Sequence, residues 1–110
     1  MERVEFLVNG RQGDRYTVAF EVNGTRASAF CTCQAGANGQ LCKHRMGIMD
    51  GDVFNLLGGN MTDVVHLKAL LKGTDLEATY SHFLKAEAVC AAAKKELDAA
   101  KKALAKVMRQ

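Results

Sequence analysis

Proline and tryptophan are absent, aromatic residues make up only 6% of the chain, and no apolar run approaches the roughly 20 residues that cross a bilayer. The last absence excludes a membrane-spanning helix. The charged start, Met1-Glu2-Arg3-Val4-Glu5, also interrupts any signal-peptide core, so a cytoplasmic protein is expected. Scarce aromatics leave few side chains for base stacking, which argues against a single-strand nucleic-acid platform. Nor is there a large charge of one sign. Fifteen basic against 12 acidic residues leave +3, so any nucleic-acid contact must come from a local patch. What remains is 110 residues, 48% hydrophobic and 25% charged, the balance of one soluble globular unit. No nucleophile elbow, phosphate loop or paired-carboxylate pattern stands out, and no enzyme is expected.

The first 33 residues read as three strands. Val4, Phe6 and Val8, then Tyr16, Val18, Phe20 and Val22, recur with period two, the mark of a half-buried strand. Asn9-Gly10 with Gly13-Asp14 marks the first reversal, and Asn23-Gly24 the second, as a two-residue hairpin turn. The third strand is expected over Thr25 to Cys33. Gln34 to Leu41 has no periodicity and reads as a loop. A helical pattern runs from Cys42 through Met46 and Met49, and a short helical turn is expected over Val53 to Leu57, ending at Gly58-Gly59. Thr62 is expected to cap a helix over Asp63 to Lys72, with Val64, Leu67, Leu70 and Leu71 on one stripe and Gly73 as its stop.

Thr74-Asp75-Leu76-Glu77 is a capping box, and neither Gly nor Pro follows it, which predicts one helix to the C-terminus. At 1.5 Å per residue such a helix is about 50 Å long, against about 35 Å for a compact globule of this size. It must protrude, bend back or pack against another chain. The expected fold is α+β: a three-stranded antiparallel meander, then short helices and a long C-terminal helix. It divides into residues 1–59, which carry the meander and the cysteine-containing segment after it, and residues 60–110, which form a helical extension.

Of the four cysteines, three lie close to His44 as Cys31-Thr32-Cys33 and Cys42-Lys43-His44, a C-x-C-x8-C-x-H pattern. Residues i and i+2 of a strand point to one side, so Cys31 and Cys33 can face one ion. Cys42 and His44 complete a tetrahedron of three sulfurs and one nitrogen, the donor set of zinc. The competing reading is three reduced core cysteines and an unrelated histidine, but paired C-x-C and C-x-H across a Gly-containing loop is not a pattern of core packing. A Cys31–Cys33 disulfide is disfavoured, since i and i+2 of an extended strand lie near the upper limit of separation for a bridge. Four protein ligands leave no open position, so one structural Zn2+ is expected. His66 and His82 have no second ligand at metal spacing and read as packed or surface histidines.

These residues, with Tyr16, Val18 and Phe20 on the strand before them, resemble the SWIM zinc finger family, whose signature is C-x-C, a variable spacer and C-x-H. The resemblance covers residues 15 to 50 and implies a small ββα zinc fold. It also implies a role in DNA binding or protein interaction, as proposed for members in transposases, chromatin-remodelling and helicase-associated proteins. This chain carries a helical extension in place of their ATPase or transposase domains.

Two further features bear on partners. Arg26, Lys43 and Arg45 flank the zinc ligands with no acidic residue from 25 to 45, a patch that would contact phosphates if nucleic acid is bound; the alternative is a solvated face. In the long helix, Phe83, Ala86, Cys90, Ala93, Leu97, Ala100, Leu104 and Val107 alternate three and four apart, a heptad seam. The seam predicts a homo-oligomer or a partner helix; the alternative is a helix folded onto its own domain. The expected function is a non-enzymatic zinc-binding module that docks through this helix and contacts DNA by its basic tip. The alternative is a protein–protein adaptor, or a small regulator or inhibitor of a nucleic-acid-processing enzyme.

Overall fold

The computed structural model describes residues 1–52, 56–58 and 61–110. Strands β1 (Glu2–Asn9) and β2 (Arg15–Asn23) follow the period-two stretches, and β3 (Arg26–Cys31) lies within the expected third strand, Thr25 to Cys33. A fourth strand, β4 (Leu56–Gly58), pairs antiparallel with β1, giving a four-stranded sheet in the order β3-β2-β1-β4. This corrects two expectations, the three-stranded meander and the helical turn ending at Leu57. Val53, Phe54, Asn55 and Gly59 of that expected turn lie outside the described residues. Leu56 and Leu57 carry no helical period of their own, and Leu56 gains a ladder partner in Val8.

The helices are α1 (Gln34–Ala37), α2 (Lys43–Met49), α3 (Met61–Leu71) and α4 (Asp75–Met108). The expected loop after Cys33 thus contains one short helix, α1. Its physical cause lies in Cys33, discussed below. α3 begins at Met61, so Thr62 lies inside its first turn and does not cap it from outside. The hairpin loop also shifts by one residue. Asn23 pairs with Arg26, which makes Gly24-Thr25 the two loop residues, with Gly24 at φ 63 supplying the positive angle such turns require.

Register puts the apolar set on one face. Phe6 stands opposite Val18, Val4 opposite Phe20, and Val18 in turn opposite Cys31. Directly paired residues of an antiparallel ladder share a face. Phe6 and Phe20 meet edge to face at 6.2 Å, and Val64, Leu67 and Leu71 of α3 with Ile48 of α2 complete this core. Full burial of each such side chain stabilises the fold by about 1.5–3 kcal/mol.

The chain divides into two units, Met1–Glu77 and Ala78–Gln110. In the first, Gly73 at φ 80 ends α3, and Thr74 caps α4: its Oγ1 accepts from the Glu77 amide at 3.2 Å and donates to the Leu71 carbonyl at 2.7 Å. Glu77 reaches back to the Gly73 amide at 3.0 Å, one residue earlier than a regular capping box. Asp75 then ties the helix start to the β2–β3 hairpin, donating its amide to Thr25 O at 2.8 Å and accepting from the Ala27 amide at 2.9 Å. The second unit is the remainder of α4, a helix of 34 residues with no buried side chain. Among the described residues no helix is long and apolar enough to cross a membrane.

Candidate metal centre

Cys31, Cys33, Cys42 and His44 converge, with one ligand atom of each lying within 4.8 Å of all the others. The three cysteines are buried and free. Two local devices bring them there, a strand end and a helix N-cap. Cys31 ends β3 on the core face, opposite Val18. Thr32 continues the pairing: its amide donates to Thr17 O at 3.1 Å, and its hydroxyl accepts from the Thr17 amide at 2.9 Å. This holds the C-x-C backbone extended, so that Cys31 and Cys33 are buried while Thr32 faces outward.

Cys33 and Cys42 are both helix N-caps. The Gly36 amide donates to Cys33 Sγ at 3.3 Å, and the Arg45 amide donates to Cys42 Sγ at 3.5 Å. The sulfur takes the place that a Ser or Asp oxygen usually fills three residues before such an amide. α1 therefore exists because Cys33 starts it. Gly36 is required by proximity: a Cβ there would collide with the Cys31 carbonyl oxygen and stand 2.9 Å from Cys31 Cβ. Gly36→Ala is therefore expected to destabilise the metal-loaded protein by about 1–3 kcal/mol through overpacking. Gly47→Ala in α2, where a Cβ meets open space, should be neutral or stabilising. Thermal unfolding of the two variants checks the contrast.

His44 follows Lys43 in the first turn of α2, and its Nδ1 lies 3.7 Å from Cys31 Sγ. The Tyr16 ring packs on the imidazole at 5.1 Å and limits its rotation. Tetrahedral zinc with bonds of about 2.3 Å to sulfur and 2.0–2.1 Å to nitrogen implies ligand-to-ligand edges of about 3.5–3.8 Å. The 3.7 Å edge is of that length, and the remaining separations are close enough to contract onto one ion.

The electrostatics separate the sulfurs. Burial, with the neighbouring sulfurs of Cys33 and Cys42, pushes the Cys31 thiol up to about 12. Burial acts on Cys42 in the same direction, but hydrogen bonds and charge from Arg45 outweigh it and hold that thiol below its ordinary value. His44 is lowered by burial and by the adjacent Lys43, which favours the neutral imidazole, the form that binds metal. Because Cys31 keeps its proton until about 12 without metal, uptake near neutral pH must displace that proton. Apparent affinity is expected to rise with pH, by about tenfold per pH unit for each proton displaced, and to fall on acidification. Calorimetric titration in buffers of different ionisation enthalpy counts the protons, and uptake with none released would contradict this account.

Arg45 carries a role that sequence reasoning missed. Its Nε–H donates to Cys42 Sγ at 3.1 Å, Nη1 donates to Ala29 O at 3.1 Å, and Nη2 donates to the Gln40 carbonyl. One guanidinium thus joins a ligand sulfur, β3 and the spacer loop. The basic tip expected from Arg26, Lys43 and Arg45 is not assembled. Arg26 begins β3, five residues from Cys31 and so about 16 Å away along the strand, while Arg45 turns inward. Lys43 alone is exposed beside the cluster. His66 and His82 are exposed and do not join it. The seam residues Cys90, Ala93, Leu97, Ala100, Leu104 and Val107, together with Ala86, are exposed on α4, and Phe83 is half-buried.

No family model matches the chain, and no curated protein or solved structure matches it.

Proposed function

We propose that the chain is a non-enzymatic, SWIM-like zinc module in which the metal is a structural staple and the long helix docks a protein partner. The observation that carries this reading is the donor set itself. Three sulfurs and one imidazole fill a tetrahedral zinc shell and leave no position for water or substrate. Cys31, Cys33, Cys42 and His44 would hold the ion, and its contribution there is folding energy. A cleft of about 270 Å³ borders His44 and Lys43, lined also by Val8, Gly47, Ile48 and Leu56.

A protein partner is favoured over nucleic acid because the expected phosphate-contacting patch is dispersed and Arg45 is committed to Cys42. The test is binding of the zinc-loaded chain to duplex DNA and to RNA across a salt titration. Phosphate contact makes affinity fall steeply with salt. Weak binding, unchanged by Lys43→Ala, is expected. A steep salt slope that Lys43→Ala flattens would overturn the protein-docking reading in favour of nucleic acid.

A further inference from the structure

We propose that the partner of α4 is a second copy of the chain, lying parallel and in register along the seam from Phe83 to Val107. This rests on the docking role assigned to that helix above. The seam is apolar and, from Ala86 on, uncovered: Leu97, Leu104 and Val107 are 53%, 57% and 59% exposed. Phe83, Cys90, Leu97 and Leu104 form one row, and Ala86, Ala93, Ala100 and Val107 form the other. Three alanines in the second row let two backbones approach closely, while the leucines of the first row fill the space between them.

The flanking charges choose the occupant and its direction. Glu87, Lys94 and Lys101 lie on one side of the seam; His82, Val89, Glu96 and Ala103 lie on the other. In a parallel, in-register pair, each residue of the second set faces the residue five positions further along the other helix. Glu96 then meets Lys101 of the second copy, and His82 meets Glu87. Symmetry makes each contact twice. Val89 faces Lys94, Ala103 faces Met108, and no like charges meet across the seam. Turning one helix round, with Phe83 against the second copy's Val107, sets Glu87 against Lys101 twice but also Glu96 against Glu96 and Lys94 against Lys94, so like charges offset the favourable pairs. Charge complementarity thus selects the parallel arrangement, in which Cys90 faces Cys90 across the seam.

The test uses the full, zinc-loaded chain. Sedimentation at micromolar concentration is expected to give twice the 11.9 kDa chain mass. Brief treatment with diamide, which accepts the two electrons and two protons released as the sulfur–sulfur bond forms, should then join the copies through Cys90. Cys90→Ser should abolish the link without loss of the dimer. Glu96→Lys should raise the dimer dissociation constant about tenfold by placing Lys against Lys101 twice, and Lys101→Glu added to it should restore affinity. A dimer that diamide does not link through Cys90 overturns the parallel arrangement, and a zinc-loaded monomer overturns the second copy as occupant. A dimer that survives Leu97→Lys with Leu104→Lys has its interface elsewhere, and in that case the docking role of α4 fails along with the inference.

Discussion

Stripping zinc from the reduced chain with a chelator is expected to unfold residues 1–77, and Cys42→Ser should reproduce that state in the presence of zinc. The core of this unit rests on one face of a small sheet, with Phe6, Phe20, Val18, Val64 and Leu67 as its most deeply buried side chains. A domain of this size is marginal without a staple. A structural zinc contributes about 10–16 kcal/mol in small metal-folded domains, comparable with the entire stability of an ordinary domain. Serine at position 42 can still cap α2, so Cys42→Ser isolates the loss of the ligand sulfur and of its bond from the Arg45 guanidinium. Dispersion of the amide resonances of Val18, Phe20 and Leu67, and of the methyl resonances of Val18 and Leu67, is the readout. Retention of that dispersion after chelation would show that the apolar core holds the fold by itself.

Arg45→Ala is expected to lower zinc affinity by about 10–100-fold, the usual cost of removing a group that orients a metal ligand. The loss has three parts: the bond to Cys42 Sγ, the charge that favours its thiolate, and the tether from Ala29 O to Gln40 O across the spacer. Arg45→Lys should restore little, since a single ammonium cannot serve three acceptors spread in a fork. Competition with a chromophoric chelator gives the affinities. An unchanged value for Arg45→Ala would mean that the sulfur needs no such partner. The same variant cannot be used to probe nucleic-acid binding, because it alters the metal site.

The strands and the donor set were legible because both rest on short-range pattern. Period two in Val4 to Val8 and Tyr16 to Val22 specifies a face, and C-x-C with C-x-H specifies four donors. The 34-residue helix was legible from its capping box and from the absence of Gly and Pro beyond Thr74. β4 was not, since a three-residue edge strand is too short to show a period and forms because β1 offers it a ladder. α1 was hidden because a cysteine rarely reads as an N-cap; two cysteines each three residues before Gly36 and Arg45 are the signal that could have found it. The dispersal of the basic residues has a related cause. Positions close in sequence to a ligand need not be close in space: β3 carries Arg26 away, and the guanidinium of Arg45 is engaged by Cys42.

X-ray absorption at the zinc edge of the purified, reduced protein tests the central claim most directly. One zinc per chain with three sulfurs at about 2.3 Å and one nitrogen at about 2.0–2.1 Å is the predicted shell, closed and without water. A shell with an oxygen donor in place of one sulfur or the imidazole, or a fifth ligand, would open the site to substrate and contradict the structural role assigned to the metal.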